Sequence, residues 1–152
     1  MSNAPFTRVF HARWGDMDFN SHMRNTAYLD MAVDVRLMYF EEKGFPTSEF
    51  ERLRIGPVVL RDEVDYYREI HLLQPVKVTF ELAALNADSS RFRLRNDFFR
   101  EDGALAARVT TAGGWLDLVQ RKLVPPPETL AAILGGLARS EDFEELASRS
   151  SA

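Results

Sequence analysis

The sequence predicts an α+β fold in which a curled antiparallel sheet of about five strands packs around one long central helix. Three observations carry this. One segment near the N-terminus has apolar residues at helical spacing over about five turns, nearly everything after it alternates apolar and polar residues, and clusters of turn residues divide that alternating stretch. At 152 residues the chain is the size of one folding unit, expected to span 1–152 with a core over about 7–124, a C-terminal helix and a polar tail over about 125–152.

The elements follow in order. Thr7 to Trp14 mixes β-branched and aromatic residues ahead of Gly15 and Asp16, which predicts a first strand ending in a turn. Gly15 to Arg24 is too polar and aperiodic for a regular element and reads as a loop. From about Asn25 to Lys43, Tyr28, Met31, Ala32, Val35, Met38 and Tyr39 recur at helical spacing, and Gly44 supplies the stop. Leu29, Val33, Leu37 and Phe40 form a second apolar row, leaving Asp30, Asp34, Arg36 and Glu41 for a narrow polar side, so this helix is expected to be largely buried.

Val58 to Leu72 alternates as one half-buried strand, with Val58, Leu60, Val64, Tyr66, Ile70 and Leu72 on one face. Two further strands come from the alternation of Val76, Val78, Phe80 and Leu82 and of Phe92, Leu94 and Phe98. Asn86 to Ser90 and Arg100 to Gly103 mark hairpin turns, and Ala104 to Val119 supplies the last strand, where Gly113 and Gly114 predict a bulge. Pro125 to Pro127 end the sheet, Glu128 to Ala138 predicts a short helix, and Ser140 onward reads as mobile or as a surface helix. Strands of this length leave edges to cover, so a homodimer or a dimer of dimers is expected.

Composition narrows the chemistry. There is no cysteine, which excludes disulfides, thiolate metal sites and a cysteine nucleophile. A net charge of −4 gives no general basic surface for nucleic acid. No apolar run approaches the roughly 18 residues of a membrane-spanning helix, and Met1 to Pro5 carries neither a basic start nor an apolar stretch. A cytoplasmic protein without a membrane partner is expected. His11, His22 and His71 lack the short spacing of zinc motifs, so no metal is expected.

The most informative stretch runs from Arg13 to Tyr28 and places Asp16 and Asp18 in a loop that leads straight into the long helix. A helix N-terminus presents unpaired N–H groups and partial positive charge, which stabilise a developing oxyanion. A carboxylate a few residues upstream sits beside that position as a base or nucleophile. Asp16 and Asp18 also suit the plainer work of turn and cap residues.

The residues Asp16, Met17 and Asp18, then Asn20 to Asn25, then Tyr28 and Leu29 at the helix opening, resemble the signature of the 4-hydroxybenzoyl-CoA thioesterase-like proteins of the hotdog fold. The likeness in element order runs from about Thr7 to Val124. It implies hydrolysis of an acyl-coenzyme A with Asp18 as the catalytic carboxylate and the backbone N–H of Asn25 polarising the thioester carbonyl. It implies no cofactor, because coenzyme A belongs to the substrate.

Asp16 takes a supporting role in this reading. His22 either orients the carboxylate, binds substrate or satisfies local hydrogen bonds. Where many relatives carry glycine, then Val and two Asn after the histidine, this chain has Ser21, Met23, Arg24 and Asn25, and Arg24 is placed to touch the ligand. The side chain of Asn25 is expected to cap the helix.

Glu63, Asp65 and Tyr67 lie on a polar strand face that would meet the loop of a second protomer, with Glu63 and Tyr67 as substrate-binding candidates. Arg91, Arg93 and Arg95 share one face and suit phosphates, although a solvated outer face is the favoured reading. Met31, Met38 and Tyr39 read as core rather than as an acyl tunnel. Two alternatives stay open: a non-catalytic acyl-CoA or lipid-binding module, and a hydratase or dehydratase of the same fold. The acyl group, and coenzyme A against acyl carrier protein as its carrier, are not readable from the residues.

Overall fold

The computed structural model describes residues 4–147; the expectations for Met1 to Asn3 and for residues 148–152 lie outside them. Strand β1 (Phe6–His11) and a one-turn 3-10 helix (Trp14–Asp16) lead through the acidic loop into helix α1 (Asn25–Glu42). Helix α2 (Thr47–Leu53) and strands β2 (Ile55–Tyr66), β3 (Pro75–Leu85), β4 (Arg91–Phe99) and β5 (Leu105–Asp117) follow. The chain continues through β6 (Lys122–Leu123), α3 (Glu128–Gly135) and β7 (Arg139–Glu145).

The long strands form one antiparallel sheet in the order β1-β3-β4-β5-β2, with β6 paired to β5 and β7 paired to β3. Its concave face packs on α1, the hotdog arrangement that the sequence resemblance implies. Ala27, Tyr28, Met31, Ala32, Val35, Tyr39 and Phe40 of α1 are buried against Val76, Val78, Phe80, Leu82, Phe98 and Val109 of the sheet. These side chains supply most of the hydrophobic stabilisation, about 1.5–3 kcal/mol for each large one fully removed from water.

Several sequence expectations change in the folded chain. The second apolar row of α1 is only partly covered, with Val33 and Leu37 45% and 38% exposed, and Met38 of the first row is 39% exposed as well, because the sheet curls over one side of the helix. Arg36, expected on the polar side, is instead buried among the sheet strands. Its Nε donates to Asn96 Oδ1 at 3.0 Å and its Nη2 to Thr111 Oγ1 at 2.8 Å, while Thr111 donates to Asp62. Burial lowers the Arg36 pKa to about 10, and the Asp62 charge opposes that shift.

The strand expected over Val58 to Leu72 begins earlier and ends at Tyr66, and its register breaks partway along. Val59 pairs with Gly113 and Arg61 with Ala112, which leaves Leu60 as the extra residue and turns it outward, 54% exposed. The bulge thus sits on β2, opposite the glycines rather than at them. Gly113 and Gly114 answer a close backbone approach: a Cβ on Gly113 would lie 2.3 Å from the Val58 carbonyl oxygen, and one on Gly114 2.7 Å from that of Ser90.

Helix α2 and strand β7 carry little periodic signal. The two turns of α2 bring Phe50 into a stack with Trp115, centroids 6.0 Å apart, within a cluster that includes Phe40, Phe45 and Phe92. The segment from Ser140, expected as a mobile tail or surface helix, is ordered as β7 through Glu145, parallel to β3 where β1 leaves that edge free. Backbone pairing with β3 holds it, and its acids add ion pairs: Asp142 meets Arg95 at 2.5 Å and Glu144 meets Arg93, both arginines reaching across β3 from β4.

Candidate functional site

The acidic loop folds as a tight hairpin closed by a bridge between Met17 and Met23. Ser21 N donates to Asp18 O at 3.1 Å and Asp18 N to His22 O at 2.8 Å, so Asp18 occupies the first turn position, where a short acceptor side chain is favoured. Its Oδ1 accepts the backbone N–H groups of Asn20 at 2.8 Å and His22 at 3.2 Å. The second carboxylate oxygen takes no hydrogen bond among the described residues. Ser21 stands at φ 64°, the left-handed conformation that glycine adopts without strain.

Helix α1 starts one residue after Arg24, which is its N-cap and provides no side-chain cap. The expected capping by the Asn25 side chain does not occur, because Asn25 is already inside the first turn. The N-terminus therefore opens uncapped beside the hairpin. Tyr66, at the end of β2, donates its hydroxyl to Asn25 O at 3.0 Å and packs edge-on against Tyr28, centroids 5.3 Å apart. Burial first, then the neighbouring Tyr66 and the Asp18 charge, push the Tyr28 pKa to about 12, so its phenol is neutral across the physiological range.

These pieces enclose a cleft of about 480 Å³ lined by Asp18, His22, Asn25, Tyr28, Tyr66 and Tyr67, with Met23, Arg68, Glu69 and Arg100 completing its walls. Four of the residues singled out from the sequence meet there: Asp18, His22, Asn25 and Tyr67. Asp16, Arg24 and Glu63 do not line it. Asp16 Oδ2 accepts the Arg13 N–H at 2.9 Å and its carbonyl accepts Arg24 N, which fixes the loop from behind. Arg24 folds onto Gly15 O, Thr26 Oγ1 and Asp30, away from the cleft. Glu63 pairs with Arg61 at 3.5 Å on the exposed edge strand.

Of the arginine triplet on β4, Arg93 and Arg95 are engaged with β7, so the cations at the cleft are Arg68 and Arg100 instead. Sequence periodicity gives no sign of these two, because each follows the end of a strand. Arg100 pairs with Asp102 at 2.8 Å, and its buried Nε has no hydrogen-bond partner among the described residues. Tyr28 and Tyr66 carry the pattern of core positions, and only the curvature of the sheet brings them to the mouth of the cleft. Apart from this cleft, an apolar cavity of about 200 Å³ lies between Val33, Leu37 and Phe40 of α1 and Val58, Phe92 and Trp115 of the sheet.

Comparisons with known proteins agree with this architecture. The profile of the thioesterase-like superfamily matches residues 12–134. Among solved structures, a hypothetical protein of Staphylococcus aureus in complex with CoA superposes with a TM-score of 0.81 at 23% identity, covering 89% of this chain and 84% of that one. A 1,4-dihydroxy-2-naphthoyl-CoA thioesterase from Synechocystis gives 0.79 at 17% identity, over 88% and 98% of the two chains. A DHNA-CoA thioesterase from Staphylococcus aureus gives 0.71 at 22% identity, over 78% of each. No curated protein matches the sequence. Among the described residues, no helix is long and apolar enough to cross a membrane.

Proposed function

The chain belongs to the thioesterase-like superfamily, and from that premise we propose that it hydrolyses an acyl-coenzyme A thioester to the free acid and coenzyme A. The observation that carries this reading is the shared cleft of Asp18 and the uncapped start of α1 at Asn25. The thioester carbonyl lies against the helix start, where the N–H of Asn25 and the positive end of the helix dipole stabilise the oxyanion. Asp18 then works in one of two ways. It takes a proton from a water whose oxygen adds to the carbonyl, or its own oxygen adds to give a mixed anhydride that water opens. In both, the C–S bond breaks and the sulfur leaves as thiolate and takes up a proton. The acyl carbon gains its oxygen from water in the first route and from Asp18 in the second, where water adding at the Asp18 carboxyl carbon opens the anhydride and restores the carboxylate.

The rest of the cleft supports the same substrate. Arg68 and Arg100 offer guanidinium groups to the phosphates of coenzyme A. The neutral Tyr28 phenol and the Tyr67 side chain bound the thioester, and His22 borders the hairpin that aims Asp18. The complex of the structurally similar Staphylococcus aureus protein with CoA fits this assignment of ligand class. A second protomer docks on the edge strand β2, where Val59, Leu60, Tyr66 and Tyr67 are at least half exposed; light scattering reads the resulting homodimer or dimer of dimers.

Asp18→Asn is the decisive variant. It keeps an oxygen acceptor for the Asn20 and His22 N–H groups, so folding is retained while acyl-CoA turnover falls by about 10² or more. A folded variant that hydrolyses at the wild-type rate overturns the assignment. A binding-only reading draws on the service of Asp18 Oδ1 to its own turn; it predicts no turnover in the wild type and unchanged acyl-CoA affinity in the variant. Single-turnover hydrolysis in ¹⁸O-labelled water separates the two routes, since only the anhydride route places label in the Asp18 carboxylate.

A further inference from the structure

His22 and His71 lie far apart in the sequence and show no zinc-motif spacing, yet the fold places them directly opposite each other. They form an isolated antiparallel bridge between the acidic hairpin and the loop that follows β2. Residues opposed in this way hold their Cβ atoms about 4.5–5.5 Å apart, and here the two rings stand edge to face with centroids 5.2 Å apart. Glu69, two residues before His71, brings its Oε2 to 3.8 Å from His22 Nε2. One donor atom from each of the three side chains falls within 4.8 Å of the others.

The geometry points to a divalent transition-metal site formed by His22, Glu69 and His71 on the rim of the cleft. Zinc binds imidazole nitrogen and carboxylate oxygen at about 2.0–2.2 Å, which sets tetrahedral donors about 3.3 Å apart. The present separations, 3.8 Å between His22 Nε2 and Glu69 Oε2 and at most 4.8 Å across the set, exceed that value by only about 0.5–1.5 Å. None of the three side chains makes a hydrogen bond among the described residues, so binding costs no existing partner.

The backbone beneath them is already fixed. Met23 N donates to Ile70 O and Asp18 N to His22 O, each at 2.8 Å. Two neutral imidazoles and one carboxylate make a borderline-soft set that takes Zn²⁺, with Co²⁺, Ni²⁺ and Cu²⁺ in the same class. Three protein ligands leave a fourth position for water. This site stands independently of the hydrolysis proposed above, since it requires neither Asp18 nor the helix start.

Calorimetric titration of tag-free, metal-stripped protein with ZnCl₂ at about pH 7.5 tests it. Saturable binding of one ion per chain is expected, weakened at least about tenfold in His71→Ala and in Glu69→Gln. Thermal melts of the metal-free variants report their folding, and X-ray absorption of the zinc-loaded wild type reads the ligands without any substitution, with two imidazole scatterers expected. Absence of saturable binding, unchanged affinity in folded His71→Ala, or a spectrum without imidazole overturns the site.

Discussion

The Tyr66 hydroxyl donates to the carbonyl oxygen of Asn25 at 3.0 Å, tying the last residue of β2 to the first turn of α1. That single bond crosses the mouth of the cleft and links the edge strand to the helix start.

Removing it tests whether the helix start needs this support. Tyr66→Phe keeps the ring against Tyr28 and loses only the donor, at an expected stability cost of about 0.5–1 kcal/mol for a partly exposed bond. Turnover of an acyl-CoA is expected to fall about three- to tenfold with KM changed less, because misplacing the oxyanion donors weakens transition-state binding selectively. Steady-state kinetics beside urea unfolding read both numbers.

The buried Arg36 makes Asn96 a structural keystone. Asn96 accepts from Arg36 Nε and donates from Nδ2 to Thr79 O at 2.9 Å, with no exposed surface of its own. Asn96→Ala leaves a buried cation short of a partner and opens a small cavity, an expected loss of about 3 kcal/mol in denaturant unfolding. Arg36→Met, which removes the charge and roughly keeps the volume, is expected to cost about 1–3 kcal/mol, because it leaves the buried Asn96 Oδ1 without a donor.

Gly113→Ala is expected to destabilise by about 3 kcal/mol, since the added carbon meets the Val58 carbonyl rather than a yielding side chain. The strain falls on the β2–β5 pairing. Faster amide hydrogen exchange over Val58 to Val64 than over β3 and β4 is the signature to measure.

The β7 contact carries a pH dependence of known sign. Hydrogen bonds from Arg95 and then Ser140 lower the Asp142 pKa from the ordinary 3.8 to about 2. A depressed acid stabilises the fold above its unfolded pKa and loses that contribution as pH falls through the folded value. The gap between wild type and Asp142→Asn is therefore expected to be full above pH 3.8, to shrink between that and about 2, and to vanish below. The carboxylate is 65% exposed, so screening holds the gap to about 0.5 kcal/mol at neutral pH. Urea midpoints along a pH series measure it.

The elements whose burial is periodic are legible in the residues alone. The α1 span of Asn25–Glu42 matches its apolar spacing almost to the residue, and β3, β4 and β5 follow their alternation, because a repeating side-chain pattern is how one backbone conformation exposes one face. Through Asp18 and Asn25 the sequence also marked the loop and helix start that share the cleft.

The remaining features come from contacts between segments distant in the chain. The bulge at Leu60 shifts the register of β2, and Arg36 turns inward to partners far along the chain. The acids of β7 find arginines across a strand, Arg68 and Arg100 reach the cleft from strand ends, and His22 meets His71. Each of these depends on pairing between distant segments, and a pairing partner leaves no periodic trace in the segment that it meets.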